Sequence, residues 1–112
     1  MVTRKTLIAL ALSFPETSEA PHFDKTSLRV RGKIFATYDK KTHRACVKLS
    51  EVDQDVFWKG AKSSIYPVAN AWGKQGWTWI ELGTVKKAQF IDVITTAYCT
   101  VAPKALANQI RP

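Results

Sequence analysis

The chain has 112 residues and a mass of 12.6 kDa, with 46% hydrophobic and 23% charged residues. These values are typical of a single globular domain, here residues 1–112, and exclude a disordered or collagen-like chain. Seventeen lysines and arginines against nine acidic residues give a net charge of +8, which favours polyanionic partners. The sequence has no run of 18 apolar residues, so no membrane span and no membrane partner are expected.

The N-terminal segment predicts a helix that ends before Pro15. Arg4 and Lys5 precede a short apolar run, as they would in a signal peptide, but that run is near the minimum length. We therefore interpret it as a buried helix with Thr3 as its N-cap, in a cytoplasmic protein. Residues 16–21 are predicted to form a polar loop.

Three short strands are expected next: apolar and polar residues alternate at residues 28–31 and 45–49, and residues 34–38 form the strand that returns between them. Tight turns at 31–33 and 39–42 make them antiparallel. Since successive side chains point to opposite faces, one face carries Leu28, Val30 and Val47 and the other carries Arg29, Arg31 and Lys48.

The second half predicts a helix from the N-cap Ser50 to Gly60, an irregular edge strand at 65–69 and a further strand at 77–82. Thr84 is expected to cap a last long helix that ends or kinks at Pro103. The fold class is therefore α+β, with two layers and an antiparallel sheet flanked by helices on one face. The predicted core comprises Leu28, Val30, Phe35, Val47, Leu49, Ile80, Leu82, Phe90, Ile91 and Ile94.

Patterns that support catalysis are absent from the sequence. It has no nucleophile elbow, no phosphate-binding glycine loop and no facing pair of carboxylates. His22 is expected to be a surface or half-buried structural residue and His43 to be solvated. Cys46 and Cys99 lie too far apart in sequence for a zinc motif and are expected to be reduced. We therefore expect no enzymatic activity, no cofactor and no metal.

The segment from Trp72 to Trp79 combines three tryptophans with Lys74 between two glycines. Glycine lets the backbone approach a phosphate, lysine supplies charge and indole rings can stack on bases, so Trp72, Trp77 and Trp79 are candidates for stacking or for lining a pocket. The alternative is structural: Trp77 or Trp79 packs in the core and Trp72 braces the turn, and we expect such a structural role for at least one of the three.

Several short segments, in this order and spacing, make the chain similar to the MmcQ/YjbR-like family: Leu12–Thr17, Pro21–Phe23, Val30–Ala36, Val47–Leu49, Ala71–Gly73 and Gly76–Leu82. Members are small bacterial proteins. The resemblance implies a fold like those of frataxin and secretion chaperones. It also implies DNA binding through a "double-wing" motif, but it transfers no catalytic residue.

Together these observations predict a monomeric, non-enzymatic DNA-binding module with weak, largely sequence-independent phosphate contacts. The wings would be the hairpin turns Arg31–Lys33 and Asp39–Arg44, and a third contact would come from the Lys74 loop. The predicted phosphate-binding residues are Arg29, Arg31, Lys33, Lys40, Lys41, Arg44, Lys48 and Lys74.

Two alternatives remain open. One is a chaperone-like module that binds a protein or peptide through exposed Tyr38, Tyr66 and Trp79. The other is a small-molecule pocket under the Trp72–Trp77 loop. One observation separates DNA binding from protein binding: whether these basic side chains lie on one contiguous face.

Overall fold

The computed structural model describes residues 2–110 of the chain. Its elements, in chain order, are α1 (Arg4–Leu12), β1 (Thr17–His22), β2 (Lys25–Val30), β3 (Lys33–Asp39), β4 (Arg44–Lys48), α2 (Glu51–Gly60), β5 (Ile65–Pro67), α3 (Ala71–Lys74), β6 (Trp77–Glu81), α4 (Lys87–Val101) and α5 (Lys104–Ile110).

The six strands form one antiparallel sheet in the order β1-β2-β3-β4-β6-β5. Strands β1 to β4 are a meander of successive hairpins. The chain then leaves through α2, and β6 pairs with β4 while β5 forms the edge. Both edge strands contain a proline, Pro21 in β1 and Pro67 in β5. Proline lacks a backbone donor, so a sheet tolerates it at an edge and not in a central strand.

One face of the sheet carries the core and is covered by α1 and α4. Alternation along β4 and β6 places Ala45, Val47 and Ile80 on this face, where each is fully buried. The predicted α+β class, with an antiparallel sheet and helices on one face, is confirmed.

Tyr98 of α4 anchors the helix layer to the sheet. Its ring packs 4.8 Å from the ring of Phe14 and 5.6 Å from that of Phe35, measured between centroids. The Tyr98 hydroxyl donates to the carbonyl oxygen of Pro15 at 2.8 Å, so its one polar group is satisfied where the ring is buried.

A register shift in the β2–β3 hairpin helps to fill this core. Leu28 lies opposite Ala36, but Arg29 lies opposite Ile34, so Phe35 has no partner in register. Such a bulge lets two consecutive residues face the same way, and Phe35 and Ala36 are both fully buried.

Nine of the ten predicted core residues are buried; the prediction for Ile91 is wrong, since its side chain is 40% exposed. The apolar face of α4 consists of Phe90, Val93, Ile94, Ala97 and Tyr98. Ile91 follows Phe90 directly, and one residue turns a helix by about 100°, which carries its side chain toward solvent.

The helix caps agree with the prediction at two of three sites. Thr3 and Ser50 accept hydrogen bonds from the backbone amides of Thr6 and Asp53, at 3.1 Å each. The predicted cap at Thr84 is wrong, because α4 begins only at Lys87 and the Thr84 hydroxyl instead pairs with that of Ser64 at 2.8 Å.

Residues 16–21 are not the predicted loop, because Thr17–His22 forms β1. Thr17 lies opposite Val30, and Pro21 lies opposite Thr26. This edge strand has a neighbour on one side only and contributes little to the core. Backbone pairing therefore holds it without the apolar alternation that marks the other strands.

His43 and Tyr38, expected to be solvated and exposed, belong to a packed network. Tyr38 is buried, and its hydroxyl lies 2.9 Å from Nδ1 of half-buried His43. The Nε2 of His43 donates to the carbonyl oxygen of Val2 at 3.0 Å, since a carbonyl can only accept. The amide of Val2 in turn donates to Leu82 at 2.9 Å, so this network ties the N-terminal segment to the sheet.

Both cysteines are free thiols: Cys46 is half-buried and Cys99 is buried. The longest helix, α4, has 15 residues, and no helix within residues 2–110 is long and apolar enough to cross a membrane.

Candidate functional site

The sheet face opposite the core, here called the open face, gathers several of the predicted site residues. Alternation places Arg29 of β2, Arg44 and Lys48 of β4, and Trp77 and Trp79 of β6 on this face. All five are half-buried. Arg29 and Lys48 thus lie opposite the core as expected.

Arg44 and Trp79 form a stacked pair, and Arg44 also belongs to a chain of side-chain hydrogen bonds. The guanidinium carbon of Arg44 lies 3.8 Å from the centroid of the Trp79 ring. The Arg44 guanidinium also donates to Thr42 and to the Tyr66 hydroxyl, at 3.2 Å each. Tyr66 donates in turn to a carboxylate oxygen of Glu81. Burial is the main cause that raises the pKa of Tyr66, and the hydrogen bond to Glu81 is the second, so the phenol stays protonated.

Lys48 and Trp77 form a second cation–aromatic pair beside the first. The two residues lie directly opposite each other in the sheet, and Nζ of Lys48 is 5.7 Å from the centroid of the Trp77 ring. The same ammonium group donates to the carbonyl oxygen of Gln75. Neither Trp77 nor Trp79 fills the core, so the structural alternative that one of these two packs there is wrong.

The two glycines around Lys74 have a structural role, which corrects their assignment as a phosphate approach. A Cβ at Gly73 would lie 1.8 Å from the carbonyl oxygen of Val68, and one at Gly76 would lie 1.8 Å from that of Leu49. Gly76 also has a φ of 104°. Both glycines are buried, so their backbones face protein, while Lys74 is exposed.

Gln54 of α2 holds this segment in place from the core side. Its amide nitrogen donates to the carbonyl oxygens of Gly73 at 2.9 Å and Trp77 at 3.2 Å, and it lies 3.1 Å from the Thr78 hydroxyl. The predicted Trp72–Trp77 loop thus overlaps the short helix α3, which is capped by Asn70. This packing fixes the backbone at Trp72, whose side chain is 58% exposed.

An apolar groove of about 430 Å³ runs across the open face. Its lining comes from the strands, the chain around them and α3, and among the described residues none comes from α1, α2, α4 or α5: His22, Phe23, Lys25, Ile34, Thr37, Cys46, Val68, Trp72, Trp77 and Trp79. The three predicted tryptophans therefore share one surface. Burial raises the pKa of the Cys46 thiol in this lining to about 11, so the thiol is protonated.

Sequence reasoning missed one rim of the groove, formed by the β1–β2 turn. Phe23 in this turn is 92% exposed and has a φ of 59°. Its ring meets the His22 ring edge-on at 4.8 Å, and Lys25 follows two residues later. An aromatic residue beside Asp24 between two strands would have signalled this rim, had β1 been recognised.

The two predicted wings lie at opposite ends of the sheet, because one turn precedes β3 and the other follows it. Seven residues of β3 separate them by about 20 Å. At the first turn, Arg31 pairs with Glu16 at 2.8 Å. This pairing lowers the pKa of Glu16 and leaves Lys33 as the unengaged cation there.

At the second turn, Lys40 is exposed, while Lys41 lies 3.6 Å from Asp24. The eight predicted cations thus do not form one patch. Three of them lie on the open face, four in the turns at its two ends and Lys74 on α3.

The described residues offer no metal site, since no three histidine, cysteine or acidic side chains within residues 2–110 come together. The arrangement combines half-buried cations, indole rings and an apolar groove. Chemically, it suits a ligand that carries both anionic groups and flat apolar rings.

Comparisons with known proteins agree with this fold. The model of the YjbR family matches residues 12–100 of the chain. A crystal structure of the Deinococcus radiodurans protein DR2400, with a DUF419 domain, is similar with a TM-score of 0.79 at 20% sequence identity, covering 98% of this chain and 88% of that one. At that identity the likeness shows the fold alone. No curated protein matches the chain by sequence.

Proposed function

The chain belongs to the YjbR family, and from this membership and the geometry of its open face we propose a non-enzymatic module that binds nucleic acid. One observation carries the proposal: Arg44 and Lys48 stand against Trp79 and Trp77, and Arg29 lies on the same open face two strands from Lys48, on a surface that the core helices leave uncovered. Cations that track a phosphate backbone, combined with aromatic rings that meet bases, are the usual means of sequence-tolerant nucleic-acid binding.

The separation of the turns supports a path along the sheet rather than two wings in one groove. Arg29 and Lys48 lie toward the end of the sheet where β3 begins, Arg44 lies opposite Asp39 where β3 ends, and Lys40 and Lys41 follow in the turn beyond it. A strand laid along this path would meet positive charge over about 20 Å. Phosphate contacts of this kind give weak affinity with little dependence on sequence.

The hydrogen bonds of His43 and the burial of Cys46 make both poorly suited to acid–base or nucleophilic chemistry, which supports a binding role. Both ring nitrogens of His43 are hydrogen-bonded within the fold. His22 packs against Phe23. The raised pKa of Cys46, about 11, keeps its thiol protonated, and the nucleophilic form of cysteine is the thiolate.

The proposal is tested by two charge variants matched in number. One replaces Lys25, Arg29 and Lys48 with Gln on the open face, and the control replaces Lys86, Lys87 and Lys104 on the helix side. Each removes three charges from +8 and leaves +5. Binding to random duplex and single-stranded DNA is measured across salt from about 50 to 200 mM.

We expect the log–log salt slope to flatten by about 2 to 3 units in the open-face variant, since each lost phosphate contact removes about 0.7 to 0.9. The helix-side variant should keep the wild-type slope. Equal losses in both variants would mean that net charge alone drives binding, and the proposed site would be wrong. No binding at low salt would end the nucleic-acid proposal.

A protein or peptide is the second candidate ligand, favoured by the mostly apolar lining of the groove. The edges do not favour it: β1 contains Pro21, and β5 has only three residues including Pro67. Buried Tyr38 is not available for it either. A peptide would therefore have to use the groove, and its binding would not weaken with salt as that of a polyanion does.

A further inference from the structure

Resting on the proposed function, we infer that the module prefers single strands and seats unpaired bases in the groove between Phe23 and Trp72. This names both the form of nucleic acid and the residues that distinguish it. The inference comes from the state of the aromatic rings along the open face, which divide into two kinds.

The rings at the floor of the groove are already partnered. Arg44 covers one side of Trp79 at 3.8 Å, and Lys48 lies 5.7 Å from the Trp77 ring. The two rings at the rims differ, because Phe23 is 92% exposed and Trp72 is 58% exposed. The rim rings are therefore the surfaces on which a ligand ring can stack.

Folding does not account for Phe23 at its position. Its ring contacts little beyond the edge of His22, so it contributes almost nothing to the core. Its φ of 59° is a backbone conformation in which glycine or asparagine would cost less. A residue that is both strained and unburied suits contact with a ligand.

Trp72 is presented to the same groove by a rigid support. Its amide donates to the Asn70 side chain at 2.9 Å, and the neighbouring Gly73 is packed against Val68 and held by Gln54. The indole thus projects from a fixed backbone. A fixed, exposed ring loses little conformational freedom on stacking, which favours affinity.

The shape and charge of the groove favour bases that are free to leave a stack. Ile34, Val68 and the two floor tryptophans make it apolar, and Lys25 lies in its lining. In a duplex the bases are paired and stacked, so their faces cannot enter such a groove unless they are first unstacked. In a single strand the bases can enter the groove while Lys48 and Arg29 face the backbone.

The test compares three probes of the same length, about 20 nucleotides: a mixed-sequence single strand, its duplex, and an abasic strand with the same phosphates. Affinities are measured by fluorescence anisotropy for the wild type, Phe23→Ala and Trp72→Ala. Trp58→Ala is the matched control, since Trp58 is also exposed but lies on α2 and faces a separate cavity, outside the groove lining. Thermal melts check that all variants fold.

We expect the single strand to bind more tightly than the duplex or the abasic strand. Phe23→Ala and Trp72→Ala should each weaken single-strand binding by roughly 5- to 100-fold and leave duplex and abasic binding nearly unchanged. Trp58→Ala should bind like the wild type.

Two results would overturn the inference and leave the proposed function intact, and a third would overturn both. If all three probes bind equally, or the rim variants bind the single strand like the wild type, base stacking is wrong while phosphate binding stands. If no probe binds at low salt, the proposed function fails and the inference fails with it.

Discussion

At the scale of single residues, Gly73 and Gly76 fix the segment that carries Trp72 and Trp77. A methyl group at either position would meet a backbone carbonyl oxygen at 1.8 Å, so the surrounding backbone would have to move. We expect Gly73→Ala and Gly76→Ala each to lower the free energy of unfolding by about 2–4 kcal/mol in urea titrations. Gly60→Ala is the control, because no atom lies near its Cβ position. An equal loss at Gly60 would contradict this account.

The thiol of Cys46 should be unreactive although it lies in the groove. Burial raises its pKa from 9.0 to about 11. The thiolate fraction, and with it the rate of alkylation at about pH 8, should therefore be roughly 100-fold below that of an unperturbed thiol. Peptide-level mass spectrometry after a timed iodoacetamide pulse measures this rate. Labelling of Cys46 as fast as that of free cysteine would show that the groove does not shield it.

Three groups together predict a loss of stability in alkali. Burial is the main cause that raises the pKa of Cys46, Tyr66 and Tyr98, so each holds its proton more tightly in the folded than in the unfolded chain. Their contribution is complete below the unfolded values of 9.0 and 10.0 and is lost as pH rises through the folded values. The free energy of unfolding should therefore fall above about pH 9. A rise over that window would have the wrong sign.

At the scale of elements, α4 offers a direct test of which face is buried. Ile94 is fully buried and Ile91 is 40% exposed on the same helix. Ile94→Ala should cost about 2–5 kcal/mol of stability, whereas Ile91→Ala should cost less than about 1 kcal/mol. Chemical denaturation of the two variants compares them in one measurement, and equal costs would contradict the assigned orientation of α4.

The same elements show where sequence patterns sufficed. Alternation predicted β2 and β4, and the tight turns on either side of β3 predicted it as the strand that returns between them. Alternation could not predict β1, whose residues are polar or small and which is held by backbone pairing at an edge. Both Phe90 and its neighbour Ile91 fit the spacing of three and four residues in α4, so the spacing could not decide which of the two side chains faces the core. The bulge at Phe35 depends on cross-strand register, which no local pattern carries.

At the scale of the whole molecule, the charge is spread along the sequence and only folding decides where it gathers. The three successive segments 1–40, 41–80 and 81–112 carry net charges of +3, +3 and +2. Antiparallel pairing brings Arg44 and Lys48 against Trp79 and Trp77, and it sends the two hairpin turns to opposite ends. The candidate cations and tryptophans could thus be named from the sequence. The groove could not be predicted, because its lining residues are spread along the sequence from His22 to Trp79 and come together only through the strand order.

The measurement that tests the open face most directly is a titration of the isotope-labelled protein with a single-stranded oligonucleotide, followed by amide chemical shifts. We predict that the shifted amides cluster at Phe23, Lys25, Cys46 and residues 72–79, and that those of α4, on the opposite side of the sheet, stay in place. Shifts confined to α4 or to the helix side, or spread evenly over the surface, would contradict the account.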